Sequence, residues 1–291
     1  MTAKALPRAA TRGRLTRFRS ALTRDYWALA AVLFLAAVVL LAILAPLLVD
    51  GDVNRPNYGV RLKPPLTAGH PLGTDQMGRD VLDRLLLGSR ISLVVGFVSV
   101  VVGGAIGTAI GVLAAYYGRW IDTILMRLAD VQLSFPFILL ALVINAIIGL
   151  GLRNIIITLV IAGWVEYARI ARGEILVLRE REFVEAARVV GAGNLRIMLR
   201  HLLPNIATPL IVISTLQVAR FIVAEASISF LGFGVQPPTP AWGSMISEGM
   251  KYIFNAWWLV TLPGLALALV ALAVNTAGDW LRDVLDPRLK I

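Results

Sequence analysis

Apolar residues gather into six long runs along this chain, at about 27–49, 92–117, 132–150, 154–168, 206–225 and 255–278. A helix needs roughly 20 apolar residues to cross a hydrocarbon core. Most of the runs have that length; the fourth is short, which makes the 149–155 turn the weakest point of the pattern. The expectation is an all-α, polytopic membrane protein with six transmembrane helices. The organisation that follows is a basic N-terminus over 1–26, a first membrane anchor over 27–49 and a loop with an amphipathic helix over 50–91. A core of five membrane helices spans 92–278, interrupted by a charged loop at 169–205, and a short tail covers 279–291.

The polar intervals have periodicities of their own. Val81, Leu82, Leu85 and Leu86 recur at helical spacing opposite Arg79, Asp83 and Arg90, so a short surface helix is expected before the second run, with Asp75 as its N-cap. In the 169–205 loop, Phe183, Ala186, Ala187 and Val190 form one apolar stripe at i, i+3, i+4, i+7. Gly191-Ala192-Gly193 breaks that helix. Asn194 is placed to cap a second helix, striped by Leu195, Met198, Leu199, Leu202 and Leu203. Two short helices with a tight turn make a compact knob tied to the fourth and fifth runs. Whatever grips the knob can lever them.

Charge orients the pattern. Of 291 residues only 16% are charged, yet the net charge is +10. Lys4, Arg8, Arg12, Arg14, Arg17, Arg19 and Arg24 precede the first run, which places that end in the cytoplasm. Alternation then puts 118–131, 169–205 and the C-terminus inside, and 50–91, 151–153 and 226–254 outside. The inside segments collect Arg119, Arg127, Arg169, Arg172, Arg179, Arg181, Arg188, Arg196, Arg200, Arg282, Arg288 and Lys290. The outside basic residues are fewer and sit mostly in the long first loop. A nucleic-acid-binding tail is the poorer reading of the basic start, since no such fold follows it. The first run is too long for a cleaved signal peptide and lacks a small-x-small site after it.

Candidate chemistry is sparse. There is no cysteine, and His70 and His201 are the only histidines, so thiolate and histidine-rich metal sites are excluded. No catalytic residue is assigned, because neither a paired-carboxylate nor a nucleophile constellation is present. Gly103, Gly107 and Gly111 lie on one stripe of the second run and would let another helix approach closely. Pro136 and Pro263 are expected to kink their helices. Tyr26, Trp27, Trp257 and Trp258 are expected at the bilayer interface. Arg220 and Glu225 are candidates for the pathway or an interface. With the fifth run ending near 225, Arg220 falls by the outer interface, where snorkelling is the favoured reading. Glu166 reads as an inner-end residue, and Asn145 and Asn275 as bonding neighbouring helices.

Residues Glu185 to Pro204 resemble the EAA loop of ABC importer permeases. Glu185-Ala186-Ala187-Arg188, Gly191 and the closing Leu203-Pro204 carry the likeness; His201 departs from the usual apolar residue. Three further stretches resemble the "C" subunits of the dipeptide/oligopeptide/nickel branch. They are His70 to Asp80 (HPLGTDQMGRD), Ser229 to Gly243 (SFLGFGVQPPTPAWG), and Asn275 to Arg288, ending Leu-Asp-Pro-Arg.

This resemblance implies a permease subunit that is not an enzyme, in which residues 185–204 form coupling helices. It implies a homologous second permease, two ATPase subunits, an extracytoplasmic substrate-binding protein and a bacterial cytoplasmic-membrane location with both termini inside. ATP and Mg would be bound by the partners, with no cofactor in this chain. Independently, the sequence has no Gly-x4-Gly-Lys-Ser/Thr phosphate loop. Di- or oligopeptides lead as cargo, with nickel complexes and glutathione behind. Of the other classes, a secondary transporter or channel would call for acidic residues mid-span and, if built from inverted halves, an internal repeat. No repeat is evident. A membrane-embedded enzyme would call for a catalytic cluster at one depth.

Overall fold

The computed structural model describes residues 25–49 and 51–285. The basic N-terminal cluster and the Asp286-Pro287-Arg288 end of the terminal signature lie outside the described residues. The described chain is helical, with isolated bridges at Thr67–His70 and Thr74–Asp80. Its helices are α1 (Tyr26–Leu48), α2 (Val81–Tyr117), α3 (Arg119–Leu133), α4 (Phe137–Ile148), α5 (Leu152–Leu178) and α6 (Glu182–Val189). They continue with α7 (Asn194–Phe230), α8 (Trp242–Met250) and α9 (Trp258–Leu285).

Five of these helices are long and apolar enough to cross a membrane, and α3 with α4 makes a sixth candidate bent by 95° at residues 134–136. The break falls at Pro136, whose ring cannot continue the preceding helix. The third run is therefore not one straight span. Of it, α4 supplies 12 residues, about 18 Å at 1.5 Å per residue, which is too short to cross alone.

The centre of the bundle is the pairing of α2 with α5. A Cβ built on Gly107 would stand 2.2 Å from the Trp164 carbonyl oxygen, and one on Gly111 2.3 Å from that of Ala168. At Gly103 the nearest neighbour, Val160 Cα, is 3.7 Å away. Positions 103, 107 and 111 thus face 160, 164 and 168 in the same order, so α2 and α5 run parallel. Parallel neighbours require the chain to return between them, and α3 and α4 make that return.

α7 packs against α2 and α5 around Val95, Tyr167, Phe221 and Ile228. α9 closes on α7, and α1 packs on α9 and α2, burying Ala28, Ala31, Ala42 and Ala45. Between α2 and α7 lies an open apolar cavity of about 780 Å3, reaching from Phe97 and Val218 to Leu195 and Leu199.

The surface helix expected before the second span is not separate. α2 starts at Val81 and runs unbroken for 37 residues. Its N-cap is Asp80, whose carboxylate accepts from the Leu82 and Asp83 amides, and not Asp75. Asp75 instead organises the preceding loop. Its Oδ1 accepts from the amides of Met77 at 2.8 Å and Arg79 at 2.9 Å. Trp258 is likewise no interface residue: it is buried, and its indole donates to the Thr74 carbonyl at 3.2 Å. Trp257, Tyr26 and Trp27 are exposed.

Candidate functional site

The knob between α5 and α7 is built from local rules. α6 ends in a double hydrogen-bonded turn, in which the Ala192 amide donates to Ala187 O and the Gly191 amide to Arg188 O, both at 2.9 Å. That closure needs a residue at positive φ, and Gly191 has φ +85°. No atom lies within 4 Å of where its Cβ would be, so the turn is open to whatever approaches.

The stripes differ from the periodic expectation. In α6 the buried residue is Val184, with Ala187 half-buried beside it, while Phe183, Ala186 and Val190 face outward. Two turns of helix are too short for a stripe of four to stay on one face once the chain reverses at 190–191. In α7, Asn194 follows the cap position, which Gly193 holds. Residues 197–202 form a π-helical turn. Pro204 follows closely; it lacks an amide hydrogen, and its ring would clash with the carbonyl four residues back. The wider turn rotates the phase, so Ile197, Met198, Leu202 and Ile206 are buried while Leu195 and Leu199 are exposed. Leu203 is half-buried and Pro204 exposed.

The inward residues Val184, Ile197, Met198 and Leu202 join Val112 and Ala115 of α2 and Ala171 and Ile175 of α5 in one apolar cluster. The knob is thereby fixed to the ends of both central helices. Tyr116 adds a clasp that the sequence reading missed. Its hydroxyl bonds Asn194 Oδ1 at 2.9 Å, and the Arg188 guanidinium lies 5.9 Å over its ring. Arg179 donates to the Ala115 carbonyl at 2.7 Å, closing the end of α2. The outward face carries Glu185, Ala186, Gly191, Val189 and Val190, the last two nearly 90% exposed (88% and 87%).

Polar groups inside the bundle form a second set. Arg220 lies farther from the end of its helix than the apolar run suggested. α7 continues to Phe230, about 15 Å beyond it, and Glu166 lies about 21 Å from one end of α5 and about 18 Å from the other. The two are ion-paired. Gln217 donates to the other Glu166 oxygen at 2.7 Å, and the Arg220 guanidinium stacks 4.8 Å over Phe137. Glu166 is thus mid-helix, with α5 continuing past it to Leu178. Below it along α5, Arg169 pairs with Asp130 and Arg172 with Asp122 of α3, each at 2.5 Å.

Glu225 is fully buried and accepts from Ser92 Oγ at 2.9 Å and Ser229 Oγ at 2.7 Å. It joins α2 to α7 and does not touch Arg220. Asn145 bonds Ala141 O of its own helix, and Asn275 is exposed; neither joins a neighbouring helix by a hydrogen bond given in the structure.

A third set lies at the end of the bundle opposite the knob. Buried Asp75, Arg79 and Arg84 form a charge quartet with half-buried Glu248. Arg79 meets Asp75 at 2.6 Å and Glu248 at 2.9 Å, and Arg84 stands 3.6 Å and 3.5 Å from the same two carboxylates. The quartet locks the 51–80 loop to α8. Gly78 makes this possible: it has φ +75°, and a Cβ there would fall 1.8 Å from the Asn57 carbonyl oxygen.

The fold is a bundle of membrane-length helices with an outward-facing helical turn packed at one end. Residues 107–291 match the family described as binding-protein-dependent transport system inner membrane component, and the chain belongs to that family. It is 46% identical over 260 residues to a Brucella suis protein named as a peptide transport system permease, covering 89% of this chain and 87% of that one. It is 42% identical to the dipeptide transport system permease protein DppC of Alkalihalophilus pseudofirmus, covering 92% and 88%. It is 41% identical to the glutathione transport system permease protein GsiD of Pectobacterium atrosepticum, covering 92% and 89%. Among solved structures, an inward-facing MetNI methionine ABC transporter chain superposes with TM-score 0.57 at 21% identity, over 70% of this chain and 96% of that one. The likeness to that chain is one of fold. The protein is a multi-pass membrane transport component and not an enzyme.

Proposed function

We propose that this chain is one of two permease subunits of an ATP-driven importer of di- and oligopeptides in a bacterial cytoplasmic membrane. The observation that carries the reading is the knob Glu182–Pro204: an exposed turn cemented to the ends of α2 and α5, the two helices that pack most closely. A partner that seizes Glu185, Ala186 and Gly191 moves those helices as a unit. On this reading a separate ATPase subunit is that partner, and two of them serve the pair of permeases. On this reading the knob is cytoplasmic, supported by the basic Arg181, Arg188, Arg196 and Arg200, with both chain termini on the same side. The opposite end, with the 51–80 loop and α8, then receives cargo from an extracytoplasmic binding protein. The relatives named for peptide, dipeptide and glutathione transport favour peptides as cargo and keep glutathione as the second reading.

The cycle is alternating access. ATP closes the ATPase pair, the knobs move together, the bundle opens outward to take the peptide, and hydrolysis resets it. The test is co-expression with its partner subunits, purification and ATP-driven uptake of labelled peptides into proteoliposomes. Wild type is expected to co-purify with ATPase chains and to concentrate peptide. Gly191→Arg, which strains the positive-φ turn and fills its open face, is expected to reach the membrane yet lose uptake. Normal uptake by that variant contradicts the coupling role, and uptake without ATPase chains contradicts the importer reading.

A further inference from the structure

We infer that the Glu166–Arg220 pair is a charge-matching station for the two ends of a zwitterionic peptide within the membrane-spanning bundle. The inference rests on the peptide-importer reading above and adds to it a place where cargo is held inside the bundle.

Three observations converge. Both members lie well inside their helices, about 15 Å or more from every helix end. It is nevertheless uncovered: the side chains are 35% and 44% exposed. Charges exposed to hydrocarbon at that depth are strongly disfavoured, so this face of α5 and α7 meets water, cargo or protein and not lipid. Finally, the pair is held ready and only half used. Gln217 fixes one oxygen of Glu166. Arg220 is propped flat on Phe137 and gives a single nitrogen to the other oxygen. A guanidinium presents two parallel donors to a carboxylate, and Arg220 has donors left for one.

The surroundings fit passage through this point. Phe137 is the first residue of α4, immediately after the 95° break, so the irregular backbone of residues 134–136 lies at this depth. Such backbone is tolerated in a membrane where it is buried in protein or lines a water-filled cavity. Arg169–Asp130 and Arg172–Asp122 continue the polar line from here toward the knob end. Arg220 lies on the side of α7 turned away from the apolar cavity, which is lined by Leu210, Ile211, Ser214 and Val218. The polar face is thus distinct from the apolar one. A peptide entering between the partners would exchange contacts with the pair: its C-terminal carboxylate takes Arg220 and its ammonium takes Glu166. The exchange requires no proton transfer.

The experiment uses the complete transporter with its own binding protein in proteoliposomes. A free dipeptide is compared with the same dipeptide amidated at its C-terminus. Variants are Arg220→Gln, Arg220→Lys and the charge swap Arg220→Glu with Glu166→Arg. Because the binding protein is unchanged, its selectivity cancels in the ratio of variant to wild type. Arg220→Gln is expected to lower uptake of the free peptide about tenfold, the loss of one charged hydrogen bond, and to lower amidated uptake far less. Arg220→Lys should recover part of the preference.

Equal loss for both peptides, with the complex intact, overturns the inference and leaves a structural ion pair. Dissociation of Arg220→Gln complexes, repaired by the charge swap, also overturns it, in favour of a contact with the second permease. Unchanged uptake of both peptides overturns it as well. If the wild-type transporter moves neither peptide, the importer reading fails first, and it is the wild-type arm that reports this.

Discussion

Gly107 and Gly103 sit one turn apart on α2 and meet different obstacles. The first lies against backbone, which cannot yield; the second has ordinary contact distance. Gly107→Ala is therefore expected to lower stability in detergent by about 1–3 kcal/mol, as overpacking does. Gly103→Ala should fall within about 0.5 kcal/mol of wild type. Thermal unfolding of the two purified variants checks the difference, and equal shifts would contradict the α2–α5 register. The glycine stripe could be read from sequence because four-residue spacing is a local property. The Arg220–Glu166 pair could not. Its members are 54 positions apart, and the depth of Arg220 depends on where α7 ends. The apolar run is read as ending near Glu225, yet the helix persists to Phe230, with Ser229 donating to Glu225 inside it.

At the scale of elements, the two ends of the bundle differ in how legible they were. The break at Gly191 was foreseen, since a glycine after an apolar stripe is a strong stop signal; the second short helix was not separate, because it is the start of α7, continuous from Asn194 to Phe230. The facing of the knob was not foreseen: the π-helical turn before Pro204 rotates the second stripe, and simple periodicity assumes 3.6 residues per turn throughout. The 51–80 loop was read as a polar segment followed by a separate surface helix, whereas it is locked by the Asp75–Arg79–Arg84–Glu248 quartet. No sequence period reveals Glu248, because Arg79 finds it 169 positions away.

Breaking the quartet from one side leaves buried guanidinium charge unpaired. Glu248→Ala is expected to cost about 3–5 kcal/mol and to loosen the 51–80 loop first. Limited proteolysis should cut Glu248→Ala within residues 51–80 well before wild type. Equal cleavage would mean that the loop is held by its backbone bonds and by Trp258 alone.

The whole molecule shows why hydropathy located the apolar runs but not their shape. Five runs are helices long enough to cross and the third is a bent pair, and the parallel pairing of α2 with α5 demands a return between them. The runs carry no information on the 95° break that makes this return bent, or on helices that extend into polar sequence, as α2 does to Val81 and α5 to Leu178. The proposed orientation is open to direct labelling, because the chain has no cysteine. Leu66→Cys, exposed in the first loop, should react with a membrane-impermeant maleimide in intact spheroplasts. Val190→Cys, exposed on the knob, should react only after permeabilisation. The reverse pattern would invert the topology.

The central claim is that the knob is where the motor grips this subunit, and a crosslink tests it most directly. In the assembled transporter, Val190→Cys carrying a short photoactivatable crosslinker is expected to form an adduct with the ATPase chain. The yield should change when ATP is added. The same crosslinker at Leu66→Cys should give no such adduct. An ATPase adduct from Leu66, or none from Val190 in a complex that still contains the ATPase and transports peptide, would contradict the account.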